Sequence, residues 1–214
     1  MNGAELDGGN ALQILLLVTA ITLVPALLFT TTAFTRILIV LGFIRTGLGT
    51  PTAPPNQVLV GIAVFLTIFV MAPTFKEVKT VAFDPLSKGK ITETQALKRG
   101  EKPIRAFMFK QTGDDELGLF MNLAKLDRPK TRADVPTYVL IPAFITSELK
   151  TAFQIGFLIF LPFLVIDLIV SSTLMSMGMM MLPPVFISLP FKILLFVLVD
   201  GWDLVIRSLV ESFH

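Results

Sequence analysis

From Leu12 to Ile44 the chain is mostly apolar for 33 residues, interrupted by Pro25, the run Thr30-Thr31-Thr32 and Arg36. As one helix this stretch would be about 50 Å long against a hydrocarbon core of about 30 Å, so it must kink, protrude or break. Gly47-Leu48-Gly49-Thr50-Pro51 and Pro54-Pro55 then predict a connection. A second apolar run, Val58 to Met71, stops at Pro73 and would span only about 21 Å as a helix, which is short for lipid. From Val135 the chain is apolar again to Phe213, but Pro142, Glu148, Lys150, Pro162, Asp167, a methionine-rich window, Pro183-Pro184, Pro190 and Lys192 interrupt it. A lipid-facing helix tolerates few such features. The pattern predicts helices packed mainly on protein and only partly in a bilayer.

Phe75 to Asp134 differs in kind. It holds 13 of the 18 basic residues and 9 of the 16 acidic ones, a balance of +4 that predicts a water-exposed domain. Thr92-Glu-Thr-Gln95 has capping-box spacing, and Leu97, Ile104, Phe107, Met108 and Gln111 follow at helical intervals. Thr112-Gly113-Asp114 should break that helix, with Asp114 or Asp115 capping the next, where Leu117, Phe120, Met121 and Ala124 form an apolar stripe before Asp127-Arg128-Pro129. Phe107 and Phe120 fit either an internal two-helix core or a contact with another subunit, because a stripe reports burial without naming the buried partner. The expected architecture is all-α, irregular and membrane-associated, with broken apolar helices. Its parts are N-terminal apolar helices (1–74), an extracytoplasmic helical domain (75–134) and C-terminal apolar helices with a methionine loop (135–214).

Composition narrows the classes. A hydrophobic share of 53% and a mean hydropathy of +0.76 over 214 residues point to an integral membrane protein or an obligate apolar assembly. A net charge of +2, with the cations gathered in the middle, gives no ground for nucleic-acid binding. There is no cysteine, and the lone histidine is His214, so the chain offers no thiolate nucleophile, no Cys-based metal site, and neither a His-containing triad nor a zinc site with several His ligands. Phosphate-binding and dinucleotide motifs are absent. We therefore expect no catalytic residue, no cofactor and no metal. Met1 to Asn10 contains no Lys or Arg before the apolar run that begins at Ala11, so the basic start of a secretory signal is either lacking or was removed upstream.

Five of the nine methionines fall in Met175-Ser-Met177-Gly-Met179-Met180-Met181. Methionine is unbranched and polarizable, so the cluster could be an adaptable seal or the filler of a helix turn in an apolar core. Gly178 within it and Pro183-Pro184 after it favour a loop or broken helix. Asp167 would cost roughly 2.5 to 3.5 kcal/mol mid-helix in lipid and needs a partner or a wet cavity. Either it serves a pore or inter-subunit contact, or it is an interfacial residue ending a short helix. Projection at about 100° per residue puts Lys192, Asp200, Asp203 and Arg207 within a wedge of about 80° on one last helix. Those four either line an aqueous path or neutralise one another between subunits, unless Asp203 and Arg207 simply pair at the surface. Glu148 joins Asp167, Lys192, Asp200 and Asp203 as a candidate assembly or channel charge. Arg36 and Arg45 flank the end of the first apolar region, which by the positive-inside rule predicts a cytoplasmic loop at 45–56 and an outside location for the N-terminus and for 75–134. Broken apolar segments with such charges also predict an obligate oligomer.

Several segments carry a resemblance. They are Thr35-Arg36-Ile-Leu-Ile-Val-Leu, Pro54-Pro55-Asn56-Gln57-Val58-Leu59, Phe69-Val-Met71-Ala72-Pro73, Ser147-Glu148-Leu149-Lys150-Thr151-Ala-Phe153-Gln154-Ile-Gly156-Phe157, and the methionine window through Leu189-Pro190-Phe191-Lys192 to Asp200-Gly201-Trp202. Together they closely resemble the FliP family of flagellar type III export proteins. The resemblance implies an export-gate subunit in the bacterial inner membrane at the flagellar basal body, with a periplasmic portion. It implies a homo-oligomer, a pentamer, assembled helically with FliQ and FliR beside other export apparatus proteins. Unfolded substrates would pass through a central channel restricted by a gasket of Met177, Met179, Met180 and Met181. Many members carry a cleavable signal peptide. The SctR proteins of virulence systems are similar. Two further classes stay open: an ion channel or transporter subunit using Asp167 and the Lys192/Asp200/Asp203 face, although no inverted repeat is evident, and a membrane enzyme, for which no convergent nucleophile and base can be found.

Overall fold

The computed structural model describes residues 8–126, 129, 131–179 and 181–213, and all regular structure among them is helical. The first apolar region breaks, as its length requires. The end of helix α1 (Gly8–Thr31), from Pro25 to Thr31, meets helix α2 (Phe34–Gly47) at an angle of 83°. The threonine run makes the break possible. Thr32 and, from the first turn of α2, Thr35 donate their hydroxyls to the carbonyls of Leu28 and Phe29 at 2.5 and 2.6 Å, and Thr32 Oγ1 accepts the Phe34 N–H at 3.3 Å. Carbonyls that a helix end would strand in apolar surroundings are thus satisfied locally.

Helix α3 (Asn56–Val78) does not stop at Pro73. It continues through a π-helical turn (Lys79–Phe83) into α4 (Asp84–Ser87), forming a rod of 32 residues that crosses the expected domain boundary at 75. Proline deletes one helical hydrogen bond and crowds one carbonyl, whereas a break in an apolar run would strand several backbone groups. The same reasoning covers helix α7 (Thr137–Ser176), a continuous 40-residue helix through Pro142 and Pro162, where the sequence predicts interruption.

Helix α5 (Glu93–Gln111) starts at the predicted capping box, with the Gln95 N–H donating to Thr92 Oγ1 and the Thr92 N–H to Gln95 Oε1. Helix α6 (Asp114–Leu123) is preceded by Gly113, not capped by Asp114 or Asp115, which instead place their charge in its first turn. Helices α8 (Pro184–Leu198) and α9 (Gly201–Glu211) divide the expected last helix at a 65° bend.

Two apolar cores organise these elements. One gathers Phe34, Ile37, Val40, Leu41 and Ile44 of α2 with Leu59 and Ala63 of α3, Ala152 and Phe163 of α7, and Val205, Leu209 and Phe213 of the C-terminal end. The other joins α5, α6 and the start of α7 through Met108, Met121, Leu140 and Phe144. Among the described residues two helical stretches, Asn56–Ser87 and Thr137–Ser176, are long and apolar enough to cross a membrane, and the bent pairs α1–α2 and α8–α9 raise this to as many as four.

Candidate functional site

The methionine window forms the tip of the hairpin between α7 and α8. α7 ends at Ser176, Gly178 turns the chain at φ +76°, and α8 starts at Pro184. The Gly178 N–H donates to the Met175 carbonyl at 3.0 Å and the Met179 N–H to the Leu174 carbonyl at 2.9 Å, so the turn caps α7 with its own backbone. Met177, Met179 and Met181 are 59%, 41% and 98% exposed. Filling the chain's own core is therefore not what they do. Met180 lies outside the described residues. Below the tip, an open apolar cleft of about 440 Å³ between α7 and α8 is lined by Ile169, Thr173, Met177, Ile187 and Phe191, among others.

The hairpin is tied by charge. Lys192 Nζ of α8 donates to Asp167 Oδ2 of α7 at 2.6 Å, and Ser188 Oγ donates to Asp167 Oδ1 at 2.6 Å. Lys192 and Ser188 are buried while the Asp167 side chain is 32% exposed. One carboxylate oxygen thus serves each donor. Asp167 has the partner its cost in lipid demands, and Lys192, expected on a face with Asp200, Asp203 and Arg207, belongs to Asp167 instead. The bend at Asp200 undoes that shared face. Asp200 is exposed at φ +49° with no side-chain cap bond, and Arg207 pairs with Asp203 at 3.0 Å on the surface. Ser188, four residues before Lys192 and so on the same helical face, escaped the sequence reading.

A second cluster sits where the middle segment meets α7. Arg36 pairs with the buried Glu148. Ser147 Oγ accepts the Gly113 N–H at 2.7 Å, and Lys150 Nζ donates to Glu116 Oε1 at 2.7 Å. The hydrogen bond from Lys150 holds the Glu116 carboxyl below its ordinary value of 4.5, against the burial that raises it. The Ser147-Glu148-Leu149-Lys150 segment therefore fastens α2 and the α5–α6 corner to one helix. Glu116 was not singled out from sequence, and Gln111 and Ser147 entered the sequence reading only as members of a helical series and a motif, because their partners lie 31 or more residues away. Arg36, read with Arg45 as flanking the end of the first apolar region, is 2% exposed. Only Arg45, bonded to Asn56 Oδ1, remains beside the 45–56 loop. Phe107 packs between Phe144 and Phe213, at 6.0 and 6.3 Å between ring centroids, and Phe120 borders the second core. Both are half-buried within this chain. Leu97, placed on the same stripe by its spacing, is 77% exposed.

A family model described as the FliP family matches residues 17–209. The chain belongs to the FliP family. Among its relatives, the flagellar biosynthetic protein FliP of Bacillus subtilis is 57% identical over 95% of this chain and 92% of its own length. The protein of the same name from Pectobacterium carotovorum is 54% identical over 97% of this chain and 82% of its own, and that of Borreliella burgdorferi is 53% identical over 95% and 81%. FliP family membership and long apolar helices agree on a membrane-associated protein of flagellar biosynthesis.

Proposed function

We propose that this chain is a subunit of the flagellar protein-export gate, acting without catalysis of its own. Five copies assemble helically with FliQ and FliR in the bacterial inner membrane at the basal body, with residues 75–134 on the periplasmic side. Unfolded flagellar substrates pass through the channel they enclose. The observation that carries this reading is the methionine loop, an exposed apolar tip on a hairpin braced by a buried cation. Large exposed apolar surface in a folded chain calls for a partner. An apolar groove of about 660 Å³, lined by Leu27, Ala82, Phe83, Leu97, Ile104 and Ile141 among others, adds to that surface. Met177, Met179, Met180 and Met181 of each copy converge on the channel axis, where thioethers seal the resting pore and yield around a passing chain. Asp167, Lys192, Glu148, Asp200 and Asp203 hold the assembly or line its path, and Phe107 and Phe120 offer their remaining surface to a second copy.

The test is the native mass and composition of the complex extracted in mild detergent, together with secretion of flagellar substrates by cells lacking the chain. A large assembly containing other export proteins, with secretion lost, is expected. A monodisperse monomer, or normal secretion without the chain, would contradict the proposal.

A further inference from the structure

Arg36 is the one charged side chain on the buried face of α2, whose other buried residues are apolar or glycine. A guanidinium has five N–H donors and no acceptor. Here each nitrogen is engaged. Nε donates to Glu148 Oε2 at 3.0 Å, while Nη2 donates to Glu148 Oε1 and, at 3.0 Å, to Gln111 Oε1. Nη1 donates to the Ser212 carbonyl at 2.8 Å and to Ser212 Oγ at 3.0 Å. The Phe213 ring lies under the cation with its centroid 3.9 Å from Cζ, and Gln111 Nε2 donates to the Phe213 carbonyl at 2.9 Å. Balancing the charge of Glu148 requires none of these contacts to residues 212 and 213.

We propose that Arg36 is a positioning residue: it clasps Ser212 and Phe213, and so fastens the end of α9 to the junction of α2, α5 and α7. The other end of α9 is fixed by close packing, since a Cβ on Gly201 would stand 2.3 Å from the Phe196 ring. With α9 held at both ends, α8 and the methionine hairpin are aligned from their base. Only this last consequence rests on the gate reading of the loop.

The chain contains no cysteine, so one reporter suffices. Leu209 is 0% exposed on α9. With Leu209→Cys in the otherwise unaltered full chain in its native membranes, N-ethylmaleimide should react slowly. Adding Arg36→Met, Arg36→Lys or the neutral pair Arg36→Met/Glu148→Leu should speed labelling about tenfold or more, as α9 opens locally. Lysine cannot reach all these acceptors from one point charge. Glu148→Gln should leave labelling slow, because the contacts to Ser212, Phe213 and Gln111 persist. Deleting residues 212–214 tests the clasp with Arg36 and Glu148 intact, and should speed labelling without adding to the effect of Arg36→Met. Slow labelling in the neutral pair or in the deletion would reduce Arg36 to a counter-charge and overturn the proposal. Neither result depends on what passes through the complex.

Discussion

Lys192 sits with its ammonium on Asp167 and its side chain 4% exposed, so removing the carboxylate strands a buried cation. Breaking such a pair from one side typically costs about 3–5 kcal/mol, whereas replacing both charges with apolar groups is often neutral. We expect Asp167→Leu to lower the melting temperature of the detergent-solubilised protein sharply, and Asp167→Leu/Lys192→Met to recover most of the loss. Equal destabilisation in single and double variants would mean that the pair is not the contact that matters. That Asp167 needed a partner was legible, since a carboxylate within Phe163-Leu-Val-Ile-Asp167-Leu-Ile-Val has little else to do. Its partner was not, because the α7–α8 turn that brings residues 167 and 192 together is a tertiary fact. Arg36 was misread for the same reason: its carboxylate is 112 residues away, and from sequence alone a cation beside an apolar run resembles a topology signal.

Among the elements, several breaks that the sequence marks with their own chemistry occur, whereas the 65° bend between α8 and α9 went unread. The threonine run supplies acceptors and donors where α1 ends, the capping box starts α5, and Gly178 takes the left-handed turn. Prolines were the weaker guide, since Pro73, Pro142 and Pro162 stay inside helices whose packing outweighs one lost bond. The α2–α7 contact shows that packing at close range. A Cβ on Gly156 would lie 2.4 Å from the Phe43 ring, so Gly156→Ala should cost about 1–3 kcal/mol as overpacking. Gly156→Ala/Phe43→Leu should regain part of it, as read by thermal unfolding in detergent; no loss in the single variant would mean that the helices separate freely. At the α5–α6 corner, Glu116 has a folded pKa below 4.5, so its stabilising effect is complete above that value and fades as the pH falls through the lower one. Hydrogen exchange at the Gly113 amide, corrected for intrinsic rates, should rise as the pH falls below 4.5. In Glu116→Gln that rise should be much smaller, and an unchanged profile would assign the transition to another group.

For the molecule as a whole, orientation now leans on Arg45 and on family membership, because Arg36 is internal. Lys90 is exposed in the middle segment, and Lys90→Cys should react with an impermeant maleimide added to intact spheroplasts. Protection until lysis would put residues 75–134 in the cytoplasm. The all-helical character of the described residues was legible at this scale, as was the loop at the methionines. What covers the exposed apolar groove and hairpin was not, since one chain's pattern reports an unburied surface without naming its cover. The most direct test of the gate account is the ion conductance of the assembled complex in a planar bilayer. Replacing Met179, Met180 and Met181 with alanine should leave the complex intact and make the resting pore leak. Conductance indistinguishable from the unaltered complex, in an assembly of unchanged mass, would contradict the account.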